Sequence, residues 1–294
     1  MADSSTALQD ITITAANPLI VNSAAINTTF GSVTIEDGGY IDISINCSFT
    51  CNSMTINASN SSTVANILTV HGTDGSAGTT PPTPPQAPNG SNGSNLKCDS
   101  AGGAIKQYPR GGSSGANGTD GAQGANGMDG TATGPTVIIS IGVLSGVLTA
   151  FNRGGNGGNG GNGASGGQGG NGGNGGNGGS CAAVKASGAN GGNGGNGGNG
   201  GASASGGNAG AGGAITITYT PASPNDTITA SNTYGTGGTK GQPGQGGLGG
   251  VGGAGGNHGG HSGHSGQAGI PGSDIGYNGI NGSLGMLTIN GIAY

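Results

Sequence analysis

The sequence predicts an all-β chain in which a region of short strands precedes a bundle of polyglycine-II helices with β-hairpin ends. Glycine supplies 76 of the 294 residues, and the triplet Gly-Gly-Asn recurs between Arg153 and Gly213. A period of three matches neither a helix nor a strand, whose side-chain periods are 3.6 and 2. It is the period of polyproline-II geometry. We expect three regions: a β-rich domain (1–72), a Pro/Gly/Ser linker or loop (73–112) and the bundle with interleaved β-hairpins (113–294).

The first region carries short runs of Ile, Val and Thr that alternate with polar residues. These runs are 11–13, 19–21, 33–35, 41–45, 54–56 and 67–70. Such alternation is typical of half-buried strands, and the Asn and Gly between the runs indicate turns. Strands this short fit a β-solenoid or a small sandwich, and the Asn-rich turns favour the solenoid. The following stretch contains Pro81-Pro82-Thr83-Pro84-Pro85, a composition typical of an exposed linker.

The glycine triplets fall into four runs of about ten residues: 154–163, 169–179, 190–201 and 206–213. We expect each run to be one rod of roughly 30 Å and the short breaks to be reversals of the chain. Two faces of each rod are bare backbone, whose polar groups need partners if they are buried. The Asn face is expected to point to solvent or to bridge to a neighbour. A flexible glycine-rich linker is the alternative.

The rest of the chain extends the same pattern. Glycine at every third residue from 115 to 130 leaves one bare face, which predicts a rod at an edge of the bundle; a collagen triple helix is the competing interpretation. Apolar runs at 137–141 and 147–150, and again at 215–219 and 227–230, predict hairpins that clamp the rods. A second rod block spans 235–282, and residues 286–294 predict a last strand.

Four cysteines allow three pairings, and all four are candidates for disulfides: Cys47, Cys51, Cys98 and Cys181. Cys98 and Cys181 lie in non-repetitive segments, where a staple would suit a chain with little apolar core. In a straight strand Cys47 and Cys51 would be about 13 Å apart and could not bond to each other. Free buried thiols are the alternative.

Composition excludes several functions. Only 6% of the residues are charged and the net charge is −5, which disfavours nucleic acid and anionic membrane surfaces. The apolar stretch 137–151 is too short to span a bilayer. His258, His261 and His264 share one face at a spacing of about 9 Å, too far apart to chelate one metal ion. We find no catalytic constellation, and we expect neither an enzyme nor a cofactor nor a metal site.

The triplets at 154–163, 169–179 and 190–201 resemble the glycine-rich polyglycine-II sandwich proteins. These include phage tail-fibre tip adhesins and the glycine-rich antifreeze proteins of springtails, and mycobacterial glycine-rich repeat proteins have similar triplets. The resemblance covers roughly residues 113–283 and is compositional. It implies a polyglycine-II fold and, by the phage adhesins, receptor loops at one end of the bundle. An antifreeze protein would imply a flat Thr/Ala/Ser face, whereas this chain presents Asn.

These features favour a self-assembling subunit of an extracellular or virion-borne fibre, although no secretory signal is visible. Strand addition between copies is expected at Ile11 and Ile13 and at Leu287 and Ile289. The alternative is a tip adhesin that contacts a cell-surface glycan or protein through its loops. The candidate contact residues are Val184, Lys185, His258, His261 and His264, with the loop 221–226. Ice binding is a third, weaker hypothesis.

Overall fold

A computed structural model describes residues 7–57, 67–131 and 133–294. The described chain is all-β, as predicted, and none of it forms a helix that could cross a membrane. The strands are β1 (Ile11–Ile13), β2 (Leu19–Val21), β3 (Thr29–Ile35), β4 (Ile41–Ile43), β5 (Cys47–Ile56), β6 (Leu68–His71), β7 (Lys97–Cys98), β8 (Ile105–Gln107), β9 (Thr136–Ser145), β10 (Val147–Arg153), β11 (Gly179–Cys181), β12 (Val184–Ala186), β13 (Ala214–Pro221), β14 (Thr227–Thr233), β15 (Met286–Ile289) and β16 (Ile292–Ala293).

Two mostly parallel sheets contain twelve of these strands. The seven-stranded sheet has the order β1-β3-β5-β9-β13-β15-β16, and the five-stranded sheet has the order β14-β10-β6-β4-β2. From β1 to β15 these strands alternate between the two sheets along the chain. The first 72 residues and the later part of the chain therefore build the same two sheets, because β5 pairs with β9 and β6 pairs with β10.

The core lies in this stranded region. Alternate residues of the strands point inward, so Val33 and Ile35, or Ile215 and Ile217, are fully buried while their neighbours are not. The rings of Phe30 and Phe49 pack with their centroids 5.7 Å apart. The hydrophobic effect thus acts on a small part of a glycine-rich chain.

The predicted clamping hairpins are wrong. The runs at 137–141 and 147–150 belong to β9 and β10, which lie in different sheets and pair with strands from other parts of the chain. Gly146, with φ of 97°, makes the sharp turn between them. Both runs carry buried apolar side chains, so β9 and β10 can pack face to face across the core, each in its own sheet, instead of pairing edge to edge. Antiparallel pairs occur instead at β7–β8, β11–β12 and β15–β16.

Three long excursions leave the sheets, and each is a pair of extended segments. The outgoing segments are 72–96, 154–178 and 234–256, and the returning segments are 108–131, 187–213 and 260–285. The predicted breaks at 164–165 and 202–205 are not reversals, since hydrogen bonding continues through them from Gly163 and Gly166 and from Gly200 and Ser203. The Ala and Ser side chains at these breaks are small enough for the extended segments to continue, and Ala164 is buried between its neighbours.

Residues 73–112, interpreted from composition as a linker or loop, are part of this array. Gly75, Gly78, Gly90 and Gly93 donate their N–H groups to carbonyls of the second outgoing segment at 2.7–2.8 Å. The prolines interrupt the donor row, because proline has no N–H, but they suit an extended backbone at the outer edge. The composition of this stretch is that of a linker, but its hydrogen bonds to the neighbouring segment fix it in place.

Hydrogen bonds with a period of three define two layers. Neighbouring outgoing segments are parallel, as when Gly157 and Gly160 donate to the carbonyls of Thr236 and Thr239. Returning segments pair in the same way, and bonds between the layers are antiparallel. The middle segments 154–178 and 187–213 have partners in both layers. The returning segment 108–131, predicted to lie at an edge, is outermost in its layer and bonds to the segments at 72–96, 154–178 and 187–213.

The asparagine side chains complete this network. Asn171 and Asn174 accept, through Oδ1, the N–H groups of Val251 and Ala254 at 2.9 Å. On the other layer, Asn193 accepts the N–H of His264 at 2.9 Å. The third residue of each triplet therefore bridges to a neighbouring segment, which is one of the two arrangements expected for it. It supplies an acceptor to an N–H that lies on the exposed face.

Candidate binding surface at the tip

The three excursions reverse at the end farthest from the sheets, in a region we call the tip (97–107, 179–186 and 257–259). The first reversal is the β7–β8 hairpin, whose turn is held by Asp99: the Gly103 N–H donates to Asp99 Oδ1 at 2.8 Å. The second is the β11–β12 hairpin, with Ala182 at φ of 48°. In the third, His258 and Gly259 both have positive φ, which allows the tightest reversal. Each excursion thus ends in its own turn.

A disulfide joins the first two reversals. Cys98 in β7 bonds to Cys181 in β11, and their Cα atoms are 5.5 Å apart. Cys47 and Cys51 are free thiols in β5, and burial raises the pKa of Cys51 to about 11. A thiol with a raised pKa is a poor nucleophile at neutral pH. Of the four cysteines proposed for disulfides, two therefore fasten the tip and two belong to the stranded region.

An open cleft of about 820 Å³ lies at the tip, beside the disulfide. Lys97, Lys106 and Arg110 line it together with polar groups of Asn92, Ser94 and Gln107. A smaller cavity of about 290 Å³ includes Lys185 and His258. Four of the protein's six lysines and arginines are thus at this end of a chain whose net charge is −5. The tip is cationic although the molecule is acidic.

The other two basic residues are neutralised elsewhere. Arg153 pairs with Asp74 at 3.1 Å, and Lys240 pairs with Asp274. Burial alone would raise the pKa of Asp74, but the Asn156 N–H and the Arg153 guanidinium lower it below its usual value. Among the described residues, the ion pairs are these two and His71–Asp42, so the basic side chains of the tip have no carboxylate partner there.

The structure brings some of the predicted contact residues together and separates others. Lys185 and His258 line one cavity, and Val184 is exposed beside them. The loop 221–226 is remote, because it precedes β14 on the side of the sheets away from the glycine-rich segments. Its Asp226 accepts the Gly146 N–H at 2.7 Å, which lowers the pKa of that carboxyl. This loop therefore belongs to the stranded end.

The three histidines do not form one row. His258 is in the turn, whereas His261 and His264 follow in the returning segment, where their N–H groups bond to Asn190 and Asn193. The residue-by-residue spacing of a rod does not extend through a reversal, which explains the difference. In the described ranges, no three His, Cys, Asp or Glu side chains lie close enough together to hold a metal ion.

The predicted assembly strands differ from each other. Ile11 and Ile13 lie in β1, which is an edge strand of the described sheet and pairs there with β3 alone. Leu287 and Ile289 are buried in β15, which has β13 on one side and β16 on the other. Asn290 and Gly291 both have positive φ and make the tight hairpin turn that brings β16 back. The C-terminal candidate is therefore covered by the chain itself.

Sequence reasoning missed Lys97, Lys106 and Arg110. Composition assigns all three to the stretch 73–112, and a linker or loop has no defined position relative to the rods. A usable signal was present: in a chain with six basic residues, four fall in the two stretches that interrupt the triplets, at 97–110 and at 185. Basic residues concentrated at the reversals of a rod bundle lie at its ends.

No protein-family model matches the chain, and no curated protein matches it. Among solved structures, the chain is similar to the nine polyproline type II helical bundle antifreeze protein of the springtail Granisotoma rainieri. The two are 26% identical over 56% of this chain and 95% of that chain, with a TM-score of 0.11. A similarity at this TM-score carries no argument about the fold or the function of this chain.

Proposed function

We propose that the protein is a non-enzymatic component of an extracellular or virion-borne fibre that binds a surface receptor through its tip. In this proposal the six glycine-rich segments are polyglycine-II helices and the alternating strands are a β-solenoid that anchors them. The period of three in the hydrogen bonds supports the first assignment, and the parallel alternation of strands between two sheets supports the second.

The observation that carries the proposal is the cationic tip. Cations that have no carboxylate partner among the described residues gather where three reversals meet, and a disulfide holds two of those reversals together. A rigid support costs little conformational entropy when a ligand binds to its end, so it suits presentation of a binding surface. The flat layers of the bundle hold the tip away from the anchoring sheets.

Selective blocking of the tip tests this function. A biotin-acceptor peptide is inserted between Gly102 and Gly103, where there is open space around the backbone, and is loaded with streptavidin. The matched control carries the same peptide after Ala222, in the loop at the stranded end. We expect the unmodified protein and the control to bind whole cells and isolated cell envelopes from a panel of hosts, and the tip-blocked protein to lose that binding. Equal binding by both blocked proteins would exclude the tip.

A self-assembling subunit is the second candidate, supported by two open edges. The N–H groups of Gly246, Gly249, Gly252 and Gly255 occupy the positions that donate to a further segment in the rest of the array, but they have no acceptor among the described residues. Strand β1 is also an edge with no further partner strand among the described residues. Either edge could add a second copy.

One feature limits polymerisation through the glycine-rich layers. The strands β1 to β5 lie beyond the first excursion in the order of the sheets. If a second copy were placed in register against the third excursion, these strands of the second copy would overlap the sheets of the first. Negative-stain electron microscopy, with and without reductant, separates the candidates: discrete particles are expected for the tip-binding protein, and long filaments for the self-assembling one. Deletion of residues 1–14 should abolish polymers if β1 joins the copies.

A further inference from the structure

The cleft beside the disulfide combines charge with hydrogen-bond donors. The Arg110 N–H donates to the Ser94 carbonyl at 2.9 Å, which fixes these two residues against each other at the base of the cleft. Lys97 pairs with Gln107 across the β7–β8 hairpin, and Lys106 precedes Gln107. Two of the cations therefore lie in the β7–β8 hairpin and the third lies in the segment that follows it. All three line the same cleft, so one ligand can contact them together.

The nearest carboxylate in sequence does not neutralise them. Asp99 lies in the turn of the same hairpin, and its side chain accepts the Gly103 N–H. No ion pair involves Asp99 or the three cations within the part of the chain that is described. The charge of the cleft thus remains available to a ligand.

The walls of the cleft add polar residues to the charge. Ser94 is one of the lining residues, but its Oγ is buried and has no hydrogen-bond partner among the described residues, so a ligand in the cleft does not reach this hydroxyl. Asn92 and Gln107 add amide groups to the lining; Asn92 Oδ1 accepts the Asn174 N–H at 2.8 Å, which leaves its Nδ2 as a donor.

The lining also indicates the chemical class. It presents basic and amide groups but no aromatic side chain, so it lacks the stacking surfaces on which single-stranded nucleic acids bind. Amides suit the hydroxyls of sugars, and three cations suit carboxylate, sulfate or phosphate groups. The open volume is within the range of small-ligand sites.

We infer that this cleft binds an acidic oligosaccharide, with Lys97, Lys106 and Arg110 on its anionic groups and Asn92 and Gln107 on its hydroxyls. The inference rests on the proposed tip function and names its ligand class. A uronic acid and a sulfated sugar are the two sources of such an anionic group, and the probes below separate them.

The test is calorimetric titration of the full, oxidised chain with oligogalacturonate, dextran sulfate and unmodified dextran, at about 0.15 M ionic strength and below it. We expect binding of at least one acidic probe and none of dextran. Each of Lys97→Gln, Lys106→Gln and Arg110→Gln should weaken binding roughly tenfold, as for the loss of one charged hydrogen bond. Lys240→Gln, which makes the same change in net charge away from the tip, should leave the affinity unchanged.

Three results would overturn the inference: no acidic probe binds, dextran binds as well as the acidic probes, or Lys240→Gln weakens binding as much as the cleft variants. The last result would mean attraction by net charge alone. If streptavidin at the tip abolishes envelope binding while acidic probes fail to bind, the inference is wrong and the tip function stands. If both blocked proteins bind envelopes equally, the tip function itself fails.

Discussion

The stranded region and the glycine-rich array use opposite solutions to the same problem of packing a backbone. In the sheets, side chains such as Phe49, Ile139 and Leu287 fill a core from which water is excluded. In the array the interior consists of backbone, and a methyl group on Gly195 would overlap the carbonyl oxygen of Ala116. One region needs large side chains at its centre and the other requires their absence.

This difference determines which substitutions are harmful. In the sheets a smaller side chain leaves a cavity, whereas in the array a larger one forces two hydrogen-bonded segments apart. The array also places its side chains outside, where asparagine carboxamides accept N–H groups from the next segment. The stability of the array therefore depends mainly on hydrogen bonds, from the backbone inside it and from asparagine side chains on its faces.

The largest effect is expected in the core of the sheets. Phe49→Ala should lower the free energy of unfolding by about 3–5 kcal/mol, because it removes a fully buried ring that packs on Phe30. Chemical denaturation followed by circular dichroism measures the change. Phe49→Leu retains most of the volume and should cost clearly less; equal losses for the two variants would contradict cavity formation.

Loss of the tip disulfide should have the next largest effect. The double variant Cys98→Ser/Cys181→Ser opens a link between residues 83 apart in sequence and should cost about 2–4 kcal/mol. Hydrogen exchange should localise the loss of protection to the tip and the distal parts of the outgoing and returning segments. Cys47→Ser is the control, since Cys47 is a free thiol. Faster exchange in the sheets than at the tip would contradict the assignment.

A methyl group inside the array should cost about 1–3 kcal/mol. Gly195→Ala tests this, because the added carbon meets the Ala116 carbonyl and displaces the segments that Gly195 connects. Gly103→Ala is the matched control, with open space around its backbone, and should change stability by less than about 0.5 kcal/mol. Thermal unfolding of both variants gives the comparison, and similar melting temperatures would argue against backbone-to-backbone packing.

Removal of one bridging carboxamide should have a smaller effect. Asn193→Ala takes away the acceptor for the His264 N–H, and we expect a loss of about 0.5–1.5 kcal/mol. Asn193→Asp keeps an acceptor oxygen and should retain most of the stability at neutral pH. Amide exchange at His264 should increase in the alanine variant and remain slow in the aspartate variant. No difference between them would mean that solvent replaces the carboxamide without cost.

The smallest effect belongs to His71, at the end of β6. Its Nε2 lies 3.1 Å from Asp42, and this hydrogen bond raises the pKa of His71, opposed by burial and by Arg153. The stabilisation is therefore complete below the unfolded pKa of about 6.5 and is lost as pH rises through the higher folded pKa. Because the pair is partly exposed, we expect less than about 1 kcal/mol. His71→Gln should remove this part of the pH dependence of stability, and an unchanged profile would contradict it.

The stranded region shows how far local pattern can lead. Alternating residues predicted the strands at 11–13 and 19–21, and the predicted run 41–45 contains β4 (Ile41–Ile43). The same reasoning produced the wrong hairpins at 137–150, because alternation fixes which side chains are buried but not which strand lies alongside. Pairing of β9 with β5 and β13 joins residues far apart in sequence, and no local pattern encodes it.

The array shows the corresponding limit for repeats. A strict period of three predicted side-by-side segments, yet Ala164, Ser165 and 202–205 were expected to reverse the chain and do not. Near Ser203 the register even shifts by one residue: Ser203 and Gly206 donate to Ser273 and Tyr277, four residues apart. The Ser203 hydroxyl donates to Asp274 and accepts the Gly276 N–H, which stabilises the extra residue. These adjustments depend on the neighbouring segment.

Sequence alone determined that this chain is all-β, that its apolar residues can form only a small core, and that its glycine-rich part has a repeat of three residues. These conclusions follow from the side-chain period and the composition of each stretch, which do not depend on the rest of the chain. The tertiary structure decided which backbone donors meet which carbonyls, that Cys98 bonds to Cys181, and that the scattered basic residues Lys97, Lys106 and Arg110 share one cleft. The physical reason is that hydrogen bonds and charges act between segments about 80 residues apart, so their partners are fixed only when the whole array is assembled.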